Sequence, residues 1–140
     1  MDASACITGL TWGAAGLLPE SLSETAGKWI YGCDACQNAC PKNHGTWTEE
    51  EELPGLSDLA NKLSLSQILS MDEKMMKELL LPKFWFIQPE KFWLWKVNAI
   101  KAMTNDFKPE YKDFIMRASE DENEKVREMA VRSLKKPGFA

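Results

Sequence analysis

The stretch Ile30-Tyr31-Gly32-Cys33-Asp34-Ala35-Cys36-Gln37-Asn38-Ala39-Cys40-Pro41 sets three cysteines at a C-x-x-C-x-x-x-C spacing and follows the last with proline. It is the tail of the bacterial iron–sulfur ligand pattern, lacking that pattern's first cysteine. Thiolates are the soft, anionic donors that iron takes in such clusters, and a short helical turn lets Cys33 and Cys36 converge on one cube. Gly32 places a residue without a Cβ where the backbone must pass close to an inorganic group. The remaining cysteine, Cys6, lies 27 positions before Cys33, so four thiolates are present and a four-ligand site is arithmetically open.

Around this motif the chain reads as loops and short helices. A helix is expected over Pro19–Ala26, with proline in its first turn and Gly27 as its stop. A second is expected over Asp34–Ala39, ended by Pro41, because proline disfavours helical geometry in the residue before it. Residues 1–45 form a cysteine segment, and residues 46–55 an acidic linker containing Glu49 to Glu52 and Pro54-Gly55. From 56 to 140 the pattern is helical, with Leu56, Leu59, Leu63, Leu65, Ile68, Leu69, Met75, Met76, Leu79 and Leu80 spaced by threes and fours. Asp72 is the expected N-cap of a helix that Pro82 closes.

Phe84-Trp85-Phe86-Ile87 precede a helix opened by Pro89 and running through Phe92, Trp93, Trp95, Val97, Ala99, Ile100 and Met103. Its apolar residues cover more than one stripe, the pattern of a helix buried by neighbours on two sides. Two amphipathic helices follow, Pro109–Ala118 and Asn123–Lys135, the second with an apparent Asp121-x-x-Glu124 capping box and a Glu128–Arg132 pair. The expected class is mainly α: a half-ferredoxin segment of short helices and loops, then a HEAT-like antiparallel helical stack.

A hydrophobic fraction of 44% with 27% charged residues is that of a soluble globular protein. No apolar run approaches the roughly 20 residues of a membrane helix, and Met1-Asp2-Ala3-Ser4 does not open a signal peptide. The expected address is the cytoplasm, where Cys-x-x-Cys points to metal or redox chemistry rather than a structural disulfide. Net charge is −4, against a uniform nucleic-acid footprint. Residues 1–70 hold three basic and nine acidic side chains, and residues 71–140 fourteen and twelve. The second half is thus the one with charge for a local phosphate contact, although interspersed signs on helices read first as a solvated, salt-bridged face. Trp12, Trp29 and Tyr31 are candidates to exclude water from a cluster, or ordinary core. His44 is the sole histidine and reads as a loop residue, so hydrolytic chemistry has no support.

Cys6-Ile7-Thr8-Gly9-Leu10-Thr11, Leu18-Pro19-Glu20, Gly27 and the run from Ile30 through Cys40-Pro41 to Asn43 resemble the second half of the double-cluster ferredoxin module of epoxyqueuosine reductases. Trp95-Lys96-Val97-Asn98-Ala99-Ile100-Lys101-Ala102 is similar to that family's C-terminal HEAT-like segment. The resemblance implies that Cys6, Cys33 and Cys36 ligate one [4Fe-4S] cluster, whose fourth ligand comes from an absent first cysteine run. Cys40 would reach the other cluster, as the fourth cysteine does in two-cluster ferredoxins.

In that family a cobalamin, reduced through the two clusters, removes the epoxide oxygen of epoxyqueuosine in transfer RNA. This chain has no cobalamin-binding domain and no assignable substrate acid. It therefore looks like the C-terminal part of a truncated or split reductase, inactive alone, with Met1 an internal position made into a start. The implied partners are the missing N-terminal cobalamin and ferredoxin half, or a corresponding subunit, and transfer RNA through the helices. No membrane is implied. Lys42 departs from the tryptophan usual after Cys-Pro. The alternatives are a zinc-stabilised helical interaction module, and the cluster module of another corrinoid-linked reductase.

Overall fold

A computed structural model of the chain describes residues 5–13, 15–45 and 55–139. Among these residues the fold is mainly helical and contains no strand. Short helices come first: α1 (Ile7–Trp12), α2 (Glu20–Thr25) and α3 (Ala35–Asn38), followed by a 3-10 turn at Pro41–Asn43. Then come α4 (Leu56–Ala60), α5 (Leu65–Ser70) and α6 (Glu73–Leu79). A second 3-10 turn, Pro89–Lys91, leads into α7 (Trp93–Asn105), which is followed by α8 (Tyr111–Ala118) and α9 (Glu124–Leu134). The expected acidic linker lies, apart from Gly55, outside the described residues.

Local chemistry accounts for most of the boundaries. Pro19 and Ala26 flank α2 as its caps, and Gly27 then takes φ +55°, a left-handed turn that glycine adopts without a Cβ penalty. The leucine-rich run from Leu56 is divided by two caps. Ser64 Oγ accepts from the Gln67 backbone N–H at 3.3 Å while Gln67 Oε1 accepts from the Ser64 N–H at 3.0 Å, a capping box that restarts the chain as α5. Asp72 Oδ1 accepts from the Met75 N–H at 2.7 Å and opens α6, as its position predicts. The helix ends at Leu79 rather than near Pro82, because Leu80 folds into a turn whose carbonyl accepts from Phe84 at 2.8 Å.

One expected cap is corrected. Asn123, not Asp121, caps α9, its side chain accepting from the Lys125 N–H at 3.0 Å. The Asp121 carboxylate instead accepts from the Asn123 N–H at 2.9 Å and from Lys96 Nζ at 2.6 Å, tying the α8–α9 turn to α7.

α7 is the axis of the molecule. Leu94, Val97, Ile100 and Met103 meet Ile115 and Ala118 of α8 and Val126, Met129 and Ala130 of α9 in one apolar cluster. Trp95 and Ala99 join Ile68, Met71, Met76, Leu80, Ile87 and Phe92 in a second. Ile100, Met103, Ile115 and Val126 are fully buried, each worth roughly 1.5–3 kcal/mol relative to exposure. The two-sided burial expected of this helix is therefore present.

A third stripe of α7 is polar, and the cysteine segment docks there. Asn98 Nδ2 donates to Thr11 O at 2.6 Å, and Lys101 Nζ donates to Trp29 O at 2.5 Å. Asn105 Nδ2 reaches both Ser23 O and Gly27 O at 2.9 Å. Steps of three and four put these side chains on one helical face. Further ties come from α9 and its end: Lys125 to Ala15 O at 3.0 Å, Arg132 to Leu18 O at 2.8 Å, and Lys136 to Glu24 at 2.7 Å and Glu20 at 3.2 Å. The charge asymmetry of the sequence thus acts inside the molecule, since these cations of the second half grip the first.

Candidate metal centre

Each cysteine sits at the edge of a helical turn. Cys6 precedes α1 as its N-cap in extended geometry (φ −72°, ψ 122°). Hydrogen bonds from the backbone of Gly9, the larger cause, and of Thr8 hold the Cys6 thiol below its usual pKa, partly offset by desolvation. Cys33 follows Gly32, whose φ of +66° turns the backbone just before the cysteine loop, with open space where a Cβ would stand. Cys36 lies within α3 and is exposed, while Cys40 opens the Pro41–Asn43 turn. Asn43 Nδ2 donates to Gln37 O and Gln37 Oε1, both at 3.0 Å, folding that turn back onto α3 and holding Cys40 near the helix that carries Cys36.

All four thiols are free of disulfides, and Cys6, Cys33 and Cys40 are half-buried. Among the described residues no three His, Cys, Asp or Glu side chains converge closely enough to hold a metal ion. The cysteines stand as an open donor set rather than a closed cage. Soft thiol donors are the ligand type that iron–sulfur clusters take, and the Cys6 thiol is held below its usual pKa. His44 is exposed in the following loop, as is Lys42.

Beside the motif stands an aromatic wall. Tyr31, two residues before Cys33, packs its ring 4.8 Å from Phe84 and 5.7 Å from Trp95, and Trp12 meets Phe86 at 5.6 Å. Trp12 and Tyr31 are thus packed against the second apolar cluster. Trp29 is not: the residue is 46% exposed, and its backbone carbonyl, the acceptor of Lys101, is what the fold uses. A cavity of about 450 Å³ between the α5–α6 junction, the start of α7 and the α8–α9 turn contains none of the cysteines.

The polar stripe Asn98, Lys101 and Asn105 was not visible as a functional feature in the sequence. Its one signal is three polar side chains at helical spacing inside a largely apolar helix, which periodicity alone assigns to solvent.

No family profile matches the chain. Individual relatives do. An epoxyqueuosine reductase of Bacillus cereus is 49% identical over 45 residues, covering 32% of this chain and 12% of the relative. That of Aliivibrio fischeri is 37% identical over 73 residues, 51% of this chain and 18% of its own length. That of Staphylococcus aureus is 35% identical over 78 residues, 56% and 20%. Among solved structures, an epoxyqueuosine reductase with a tRNA-Tyr epoxyqueuosine-modified stem loop superposes with a TM-score of 0.74 at 25% identity, covering 96% of this chain and 35% of that one. The Streptococcus thermophilus epoxyqueuosine reductase shares the fold with a TM-score of 0.65 at 23% identity, over 96% and 40%. The chain is similar to part of epoxyqueuosine reductases. It spans a fifth or less of the length of these curated relatives, and little more than a third of the solved chains.

Proposed function

We propose that the chain is the iron–sulfur electron-transfer segment of an epoxyqueuosine reductase-like protein of queuosine biosynthesis, working in the cytoplasm. Cys6, Cys33 and Cys36 hold one [4Fe-4S] cluster and Cys40 reaches a second. The other ligands and the cobalamin belong to polypeptide outside these 140 residues. Such a cluster supplies uptake and release of one electron at a time, without making or breaking substrate bonds.

The carrying observation is the likeness to solved epoxyqueuosine reductases over 96% of the chain, a span that takes in both the cysteine turns and the helical stack. Tyr31, two residues before Cys33 and packed on Phe84 and Trp95, is the side chain we assign to keeping water from that side of the cluster. We assign the pairing of α7, α8 and α9 to a HEAT-like stack, with residues 1–45 as the cluster segment and 46–55 as the linker. The helices are the part offered to transfer RNA, since a relative of the same fold is solved with a tRNA stem loop. Among the described residues no helix is long and apolar enough to cross a membrane.

Anaerobic production of the full chain, followed by iron, labile-sulfide and zinc analysis, tests the reading. Iron with sulfide is expected, reduced in amount when Cys33→Ser or Cys36→Ser removes a ligand. A colourless protein with stoichiometric zinc and no sulfide would replace it with the zinc-stabilised module. Epoxyqueuosine turnover by this chain alone would overturn the division of labour.

A further inference from the structure

The aromatic wall on the second apolar cluster has a side that meets water. Trp12, Tyr31, Phe84 and Phe86 are only half-buried, and the Phe86 ring lies 5.6 Å from Trp12, 6.1 Å from Tyr31 and 5.7 Å from Trp85. Trp85 stands out of this surface at 71% exposure, the most open large hydrophobic residue among those described. The turn that carries it is well tied. Ile87 is buried in the second cluster and its N–H donates to Phe84 O at 2.8 Å, while Gln88 Nε2 donates to Trp85 O at 2.7 Å.

A tryptophan ordinarily buries roughly 150–250 Å², and joined apolar surface left in water marks an interaction site. The cluster behind the wall is also unfinished. Trp95, in ring contact with Tyr31 and Phe84, has the one buried side-chain N–H among the described residues without a hydrogen-bond partner, a condition that native cores seldom keep. Nucleic acid suits this surface poorly. Residues 5–45 and 82–91, which carry the rings, hold four lysines, four carboxylates and no arginine, so they have no excess of positive charge to follow a phosphate backbone. A polypeptide interface has the matching composition, aromatic and poor in charge at its centre. The solved reductases indicate which polypeptide. There the part that matches 96% of this chain is only 35–40% of the whole, so the larger share of each reductase lies beyond this fold.

We propose that Trp85, ringed by Trp12, Tyr31 and Phe86, is the anchor of a docking surface for the reductase polypeptide that lies outside these 140 residues. The inference rests on the reading of the chain as one segment of an epoxyqueuosine reductase-like protein, and it needs no cluster to be bound. An aromatic side chain on a tied turn has little conformational freedom left to lose on docking. Anchors of this kind carry a large share of the binding energy at the centre of an interface, and truncating one lowers affinity on the order of tenfold or more.

The test places the photocrosslinker p-benzoylphenylalanine at position 85 of the full chain, irradiates it in the cells the chain comes from, and identifies the captured peptide by mass spectrometry. The expected peptide belongs to a polypeptide that aligns with the part of epoxyqueuosine reductases not covered by this chain. With the crosslinker moved to position 12, Trp85→Ala should lower the yield of that product about tenfold, and Trp85→Phe should lower it less. Met116→Ala, which removes a half-exposed side chain from α8, should leave the yield unchanged. Because Trp85 is exposed, both Trp85 variants should melt with the wild type. Capture of a second copy of this chain, of RNA, of an unrelated protein or of nothing would overturn the proposal, as would a yield indifferent to Trp85→Ala. Iron and sulfide analysis of the same chain judges the cluster reading separately. A chain that loads both but captures no reductase polypeptide loses the docking surface alone, and one that captures it without iron loses the cluster alone.

Discussion

The stack of α7, α8 and α9 buries Ile100, Met103, Ile115, Val126 and Ala130 completely, whereas between residues 5 and 45 only Thr11, Ser23 and Ala26 are buried among the described residues. The stack is ordered by its own apolar faces. The cysteine segment is ordered from outside, by Asn98, Lys101, Asn105, Lys125 and Arg132 reaching its backbone carbonyls. These ties take the segment by its backbone and use none of the four cysteine side chains. The two regions should therefore fail differently.

Ile100→Ala should have the largest effect. Ile100 is fully buried within the cluster shared by all three helices, and truncation there costs about 2–5 kcal/mol, read as a lower urea midpoint for global unfolding. A cost below about 1 kcal/mol would mean that the stack is not the part that supports the rest.

Asn105→Ala should come next, and locally. It removes both ties from Asn105 to Ser23 O and Gly27 O and leaves half-buried carbonyls short of a donor, a loss of about 1–3 kcal/mol. Amide exchange should accelerate through residues 20–30 while α8 and α9 keep their protection. Equal acceleration in α9 would show that the two regions unfold as one unit and dissolve the contrast.

The sequence was legible where local chemistry decides and silent where a distant partner does. Pro19 with Gly27, and Asp72, each act within a few residues, and each has the structural place that its type requires. Ser64-x-x-Gln67 is equally local and legible as a capping box, yet the leucine periodicity around it obscured the break it makes. α1 was hidden because Gly9 lies inside it and a cysteine stands at its N-cap, neither of which signals a helix start. Asp121 was a plausible cap two positions early, since its carboxylate does accept a backbone N–H, that of Asn123, before the helix begins. Asn98, Lys101 and Asn105 were unreadable for another reason. Their partners lie 72 to 87 residues away, so nothing in α7 itself tells a buried latch from a wetted edge.

The smallest effect is expected at the rim of the same interface. Lys136 bridges Glu24 at 2.7 Å and Glu20 at 3.2 Å, but both carboxylates are more than half exposed, so water and salt screen the pair. Lys136→Ala should cost no more than about 1 kcal/mol, and less as salt is raised. The hydrogen bond that Lys136 donates to Glu24, chiefly, raises the Lys136 pKa. Whatever the pair contributes is therefore present in full below the unfolded lysine value and disappears as pH climbs through the raised folded one. Asn105→Ala, by contrast, should be nearly indifferent to salt, because an amide donating to two carbonyls carries no net charge to screen. A Lys136→Ala loss matching that of Asn105→Ala, and equal at low and high salt, would place the grip on the cysteine segment at its charged rim rather than along the polar stripe of α7.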